Sequence, residues 1–549
     1  MAPETVTADA VRPLPARPRY AVWRSPDGQP RWARPALLGI AAAAALLYSW
    51  NIARAGYAPL YSQAVQYMSQ SWKGFFYGAL DGSATLDKLA GSFLPQALSA
   101  RVFGYHAWSL ALPQVIEGVI SVLVMYRVVR RWAGVAPGLL AAGIFTLTPI
   151  AASMFGHSME DGALTMCLVL AADAWQRAVR GGRLRSLIWS GVWVGLGFQA
   201  KMLQAWMVLP ALGIGYLTAA PGPVRRRLRQ LLAAGAVMLV VSVSWIALYT
   251  FTPANDRPYI SGSTDNSAIA MVFGWNGLGR FGIHIPGAPG AGGVQVGPAG
   301  IHIGNPRGPA RGAHVQLGPG GGSRWTKLLG GRFGAEIGWL YPLALLALAA
   351  GLWQRRRERR TDLLRGGYLM WGLWLLTFGA IFSAMSAIPH TAYMASLAPP
   401  LAALPGAGLV LLWRAYRAGG RDAWLLPAVT AAELAWAGWL WSGYGGFLPW
   451  ARWASVAAGL AAVAVLAIAA HGSANSGRVV TAALGLAVAA MLAGPAIWSA
   501  SVLDIRYAGT SFDASAGPAG ISVGGNCTTG GTSRPQSTFT CRGPLPGRP

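Results

Sequence analysis

Apolar residues recur in long runs along nearly the whole chain, longer than the stripes of ordinary core helices. Thirteen runs are predicted as membrane spans: 35–51, 108–126, 133–151, 160–176, 187–201, 204–220, 231–251, 337–354, 367–386, 391–413, 424–443, 453–471 and 479–500. Several fall short of the roughly 20 residues a crossing needs, so one or two could be re-entrant or merged, which leaves about 11–13 crossings. The fold class expected is an all-α polytopic membrane protein.

The polar stretches between runs give an orientation. With the N-terminus inside, the six inside loops hold arginine clusters within 127–131, 177–185, 225–229, 355–360 and 414–421, and Arg478. The short connections between them are nearly free of basic residues, as the positive-inside rule requires. This makes 1–34 a cytoplasmic tail and 35–500 one membrane domain. Residues 1–33 carry Pro and Arg without a cleavable-signal pattern, so the first run reads as a retained helix.

Two long connections then fall outside. In 52–107, Tyr61, Val65, Met68 and Trp72 follow helical spacing, and Phe93, Leu94, Ala97 and Leu98 suggest a second short helix, both suited to the interface. The connection 252–336 contains a Gly/Pro-rich centre, 286–323, expected to be mobile or irregular. The stretch 501–549 reads as a low-complexity outer tail.

Composition agrees with a membrane protein: 54% of the 549 residues are hydrophobic and 11% charged, against roughly 25% charged in soluble chains. The net charge of +26 resides in loop arginines rather than in a basic face interleaved with aromatics, which excludes a nucleic-acid partner. Cys167 lies in an apolar run and reads as a packing residue; Cys527 and Cys541 could pair if the tail is outside.

With only 18 acidic residues in the chain, those in or beside apolar runs need a partner, a cavity or a function. Asp81 and the Asp87–Lys88 pair lie in the first outer connection, where Lys88 could hold a phosphate and a carboxylate accept a proton; a local ion pair in a solvated loop is the plainer reading. Glu160 and Asp161 open the fourth span beside His157, either as a helix cap or as a site for a divalent cation, Mg or Mn, or a hydroxyl nucleophile. Lys201 and Gln204 occupy the next outer turn, and His390 with Tyr393 the start of the tenth span; the alternatives are interfacial anchoring and an anion or substrate pocket. His284, His302 and His314 lack metal-ligand spacing.

Several blocks in order resemble the actinobacterial branch of the protein O-mannosyltransferase and aminoarabinose-transferase superfamily, membrane glycosyltransferases of the GT-C fold. They are Tyr61 to Gly78 with Met68-Ser-Gln-Ser-Trp72, Leu86-Asp-Lys88, Gln96 to Gly104, Lys201-Met-Leu-Gln204, Arg257 to Ser267, Gly274-Trp-Asn-Gly-Leu-Gly-Arg280 and His390 to Pro399. The resemblance implies transfer of a sugar, mannose favoured, from a polyprenyl-phosphate donor to a lipid, glycan or protein acceptor at the outer face of the cell membrane. It implies acidic roles for Asp87 and Asp161, with Glu160 and Asp81 as further candidates. Lys88, Lys201, Arg257 and Arg280 would hold phosphate, and Tyr61, Trp72, Gln204, His390 and Tyr393 would line the pocket. Two departures stand out: Tyr57-Ala-Pro-Leu-Tyr61 lacks the family's acidic pair, and Leu89-Ala90 replace two prolines after Lys88. A lipid flippase or transporter and a non-catalytic envelope scaffold are the competing classes.

Overall fold

The computed structural model describes residues 23–58, 60–289, 325–385, 388, 390–471 and 477–519, together with the backbones of 294–297, 300–303, 526–529 and 539–542. Its helices are α1 (Ala33–Ser49), α2 (Tyr61–Gln70), α3 (Trp72–Tyr77), α4 (Phe93–Phe103), α5 (Ala107–Ala133), α6 (Val135–Thr146), α7 (Pro149–Met154), α8 (Asp161–Gly181) and α9 (Leu184–Lys201). They continue as α10 (Leu209–Ala219), α11 (Val224–Phe251), α12 (Gly331–Ile337), α13 (Tyr341–Gln354), α14 (Leu363–Ala384), α15 (Ala398–Ala418), α16 (Leu425–Ser442), α17 (Pro449–His471) and α18 (Gly477–Ser501).

Every predicted span coincides with a helical segment, and the chain is a multi-pass membrane protein. Among the described residues nine helical stretches are long and apolar enough to cross a bilayer. One of them, Leu184–Ala219, holds two predicted spans. A 3₁₀ turn, Met202–Val208, separates α9 from α10, α10 packs against α14 and α8, and Pro221 beyond α10 returns to contact range of Gly182 before α9. The paired runs therefore form a hairpin. Two of the least-buried apolar helices, α11 and α17, keep apolar side chains exposed, among them Leu232, Val240, Phe251 and Ile468; hydrocarbon is the solvent that makes this stable.

Local chemistry sets the helix ends. Helix α8 has Asp161 in its first turn and Arg180 in its last, matching the helix dipole, and stops at Gly182 in the left-handed region, φ 60°. At the arginine-rich end of the bundle, buried Asp173 of α8 accepts from Arg127, Arg131 and Arg177. At the other end Asp161, Lys201 and Tyr393 come together.

The two short helices expected in 52–107 form as α2 and α4. Trp72 starts a separate helix because Ser71 is extended and its Oγ caps Gly74 N at 3.0 Å. The tail differs from the low-complexity reading: 502–518 leave α18 and pack across the bundle, with Ala514 and Ala516 fully buried. The Gly/Pro-rich centre lies outside the described residues, apart from 286–289 and a short antiparallel strand pair, Val294–Gly297 with Gly300–Ile303. A second pair sets Cys527 opposite Cys541 in register; their side chains lie outside the described residues, as do residues 1–22. Cys167 is buried.

Candidate active site

Four charged side chains meet at the site-side end of the bundle. Lys88 Nζ lies 2.6 Å from Glu160 Oε1, and Lys201 Nζ lies 3.3 Å from the same oxygen while also donating to Asp161 Oδ2. All four are at most 5% exposed. Each ammonium also faces an aromatic ring, Lys88 over Tyr61 at 4.4 Å and Lys201 over Tyr393 at 4.0 Å. Burial pulls the Lys88 ammonium toward neutrality, but the Glu160 carboxylate, foremost among neighbouring charges, holds its pKa well above the usual lysine value. The quartet thus pairs two lysine side chains with two carboxyl groups.

Backbone geometry brings the lysines together. Gly91, just after Lys88, packs so closely on α9 that a Cβ there would stand 2.4 Å from the Gln199 carbonyl oxygen. Two of the four non-glycine residues with positive φ among the described residues adjoin the site: Leu60 (65°) before Tyr61 and Met202 (47°) after Lys201. Such backbone costs on the order of 1–3 kcal/mol and collects at functional sites.

A cavity of about 290 Å³ opens beside the quartet. Lys88, Glu160, Lys201, Gln204, Arg280 and Tyr393 form its polar end; Leu203, Trp206, Met207, Phe281, Ile381 and Met385 form an apolar wall. Gln204 Nε2 donates to Ser396 Oγ (3.2 Å) and to the Tyr393 carbonyl (3.3 Å), so its amide fixes the Tyr393 turn. His390 stacks toward Tyr393 with ring centroids 6.4 Å apart. Burial, reinforced by Lys88, pushes the His390 pKa down to about 3, so the imidazole is neutral. A second cavity at the arginine-rich end, beside Arg131 and Trp175, is about 10 Å³, room for a single water.

Asp87 stands at the edge of the quartet, half-buried. Its Oδ2 accepts from Trp275 Nε1 at 3.0 Å and its carbonyl from Asn276 Nδ2 at 2.6 Å, while Oδ1 makes no hydrogen bond to the described residues. Trp275 and Asn276 were not singled out from sequence, although they lie in the Gly274–Arg280 block; nothing in their spacing pointed to a carboxylate on another loop.

Three expected site residues do not join. Asp81 is used by its own turn, Oδ1 accepting from Ser83 N and Ser83 Oγ at 2.7 Å and from Ala84 N at 3.0 Å. Arg257 clamps its own loop through Asn266 Oδ1 (2.7 Å). Trp72 is exposed, stacked under Arg101 at 3.7 Å. All three side chains satisfy local partners, which leaves them no reach to the quartet.

At Glu160 and Asp161, where Mg or Mn is expected, lysine ammonium groups stand within ion-pair distance. Each carboxylate already holds a lysine ammonium; one oxygen of each, Glu160 Oε2 and Asp161 Oδ1, is left without a partner. No group of three or more His, Cys, Asp or Glu side chains gathers among the described residues.

The helical membrane fold is of the GT-C type, with a buried cluster of charges beside an apolar cavity at one end of the bundle. Residues 91–246 match the dolichyl-phosphate-mannose-protein mannosyltransferase family. The Bacillus subtilis proteins YkcB and YycA, both assigned provisionally as mannosyltransferases, are 32% and 30% identical over 463 and 470 residues. These alignments cover 72% and 74% of this chain, and 64% and 68% of the respective relatives, so the chain spans less than two thirds of YkcB. The crystal structure of ArnT from Cupriavidus metallidurans bound to undecaprenyl phosphate superposes with a TM-score of 0.52 at 15% identity, over 85% of this chain and 77% of ArnT. The chain belongs to the family of mannosyltransferase-like proteins represented by YycA.

Proposed function

We propose that the protein transfers a hexose or pentose, mannose favoured, from a polyprenyl-phosphate donor to a lipid, glycan or protein acceptor at the outer face of the cell membrane. The observation that carries this reading is the junction of Lys88 and Lys201 with an apolar-walled cavity at the helix ends. A polyprenyl-phosphate sugar has the same build, a phosphate joined to a long apolar chain. The matching family and the two Bacillus relatives, named for mannosyl transfer, support the sugar.

In this mechanism Lys88, Lys201 and Arg280 face the donor phosphate and stabilise the charge that grows on it as the glycosidic C–O bond breaks. Glu160 and Asp161 hold the two ammonium groups in place before the donor arrives, so little reorganisation is needed at the moment of reaction. Asp87, with its unengaged Oδ1, accepts the proton of the acceptor hydroxyl as that oxygen attacks the anomeric carbon. Gln204 and Tyr393 line the sugar's side of the cavity.

The outer-face location rests on arginines. The clusters within 127–131, 177–185, 225–229 and 355–360 all lie at helix ends away from Lys201, which favours an inside N-terminus. A flippase would want its ionisable groups near mid-membrane, whereas this quartet sits at helix termini.

The test is release of polyprenyl phosphate from labelled donor lipid by membranes containing the protein, Asp87→Asn or Asp161→Asn. Each substitution is expected to cut release by about 10²-fold or more. Folded variants that transfer at the parental rate would remove this reading.

A further inference from the structure

The segment after α18, 502–518, is held across the site-side ends of four elements. Asn51 Nδ2, after α1, donates to the Val502 carbonyl (2.7 Å); Ser153 Oγ, in α7, to the Ala508 carbonyl (2.6 Å). Ala516 N donates to Glu336 Oε1 of α12 at 2.7 Å. At the centre of this strap Asp513, 8% exposed, joins two elements at once. Its Oδ2 pairs with Arg332 Nη1 at 2.6 Å, and its Oδ1 accepts from Thr391 N at 2.7 Å.

Thr391 opens the 3₁₀ segment Thr391–Leu397. The first N–H groups of a helical segment have no partner within it, and a carboxylate there supplies both the acceptor and a favourable charge. Asp513 is therefore a cap delivered from a distant part of the chain. The capped turn carries His390, whose ring meets the edge of Phe512 at 5.1 Å, and Tyr393, whose ring lies 4.0 Å from Lys201 Nζ.

We propose that Asp513 is a positioning residue for the transfer site, fixing through Thr391 the turn that holds Tyr393 against Lys201. The strap then acts on the donor-phosphate lysine from behind the Thr391–Leu397 turn, without lining the cavity or touching the donor, and its part in transfer rests on the glycosyltransferase reading. Arg332 holds the carboxylate in place, because a buried Asp without a cation would be driven neutral and lose the charge that makes it a strong cap.

Two measurements on the full-length protein test this. Hydrogen–deuterium exchange of Asp513→Ala should rise at 390–397 and in the strap, with α5, α8 and α14 unchanged; exchange that rises evenly everywhere, or not at all at 390–397, overturns the proposal. That outcome is readable whether or not the protein transfers sugar. In the transfer assay Asp513→Ala should lower kcat by about 10²-fold, the scale of a displaced catalytic geometry, and Asp513→Asn, which keeps an oxygen for Thr391 N–H, should lower it less. In a Tyr393→Leu background the further loss on Asp513→Ala should shrink to under about twofold, because residues acting through one contact are not additive. Losses that multiply in full would make Asp513 a staple with no path through Tyr393.

Discussion

Lys88 Nζ stands 2.6 Å from Glu160 Oε1, a buried ion pair that ties the 52–107 connection to the start of α8. Breaking such a pair from one side costs about 3–5 kcal/mol because the remaining charge is stranded. Lys88→Met should therefore lower the thermal unfolding midpoint in detergent as well as abolish transfer. Lys88→Met with Glu160→Gln should regain most of the stability and none of the transfer. Recovery of transfer in that double variant would show that Lys88 serves the fold alone.

Asp87 and Asp81 separate function from local structure. Asp87→Asn keeps an oxygen for Trp275 and should leave the unfolding midpoint unchanged while transfer falls by about 10²–10⁴-fold. Asp81 only holds its own turn, so Asp81→Asn should transfer within about twofold of the parent, as surface changes usually allow. Assaying both variants with labelled donor lipid checks the contrast.

Gly91 controls how near the Lys88 loop comes to α9. With a Cβ placed 2.4 Å from the Gln199 carbonyl oxygen, Gly91→Ala must push the loop off the helix that ends in Lys201. Transfer should drop by about 10²-fold, while Gly213→Ala, where no atom lies within 4 Å of the added Cβ, should not change it.

His390 gives the protein an acid sensitivity of definite sign. Its folded pKa of about 3 lies below the ordinary 6.5, so the unfolded chain binds the proton first. The contribution is fully present above pH 6.5 and is lost as pH falls from there toward 3, by up to about 1.4 kcal/mol per pH unit. His390→Gln should flatten the fall in unfolding midpoint between pH 7.5 and 5; an unchanged fall would mean that His390 is not held neutral.

The membrane architecture was legible because span length and arginine placement are physical necessities in lipid. All thirteen predicted spans correspond to helical segments, and even the short run 204–220 is explained by the hairpin at Met202–Val208. The quartet was legible for a related reason: Lys88, Glu160, Asp161 and Lys201 are costly beside apolar runs, so their presence was informative. Which carboxylate pairs with which lysine could not be read, since the partners lie on separate loops. Asp81, Arg257 and Trp72 misled because local hydrogen bonds and stacking leave no mark in residue type. Asp513 was passed over inside a Gly/Ser/Thr-rich tail; an isolated acid in a chain with only 18 was the available signal.

In the proposed reaction Lys88 and Lys201 receive the phosphate of a polyprenyl-linked sugar. Binding of undecaprenyl phosphate to the purified protein, compared with Lys201→Gln, tests it most directly. Removing one charged phosphate contact is expected to weaken binding by at least about tenfold, alongside lost sugar transfer from the corresponding labelled donor. Equal affinity in the two proteins, or no binding by the parent, would contradict the account.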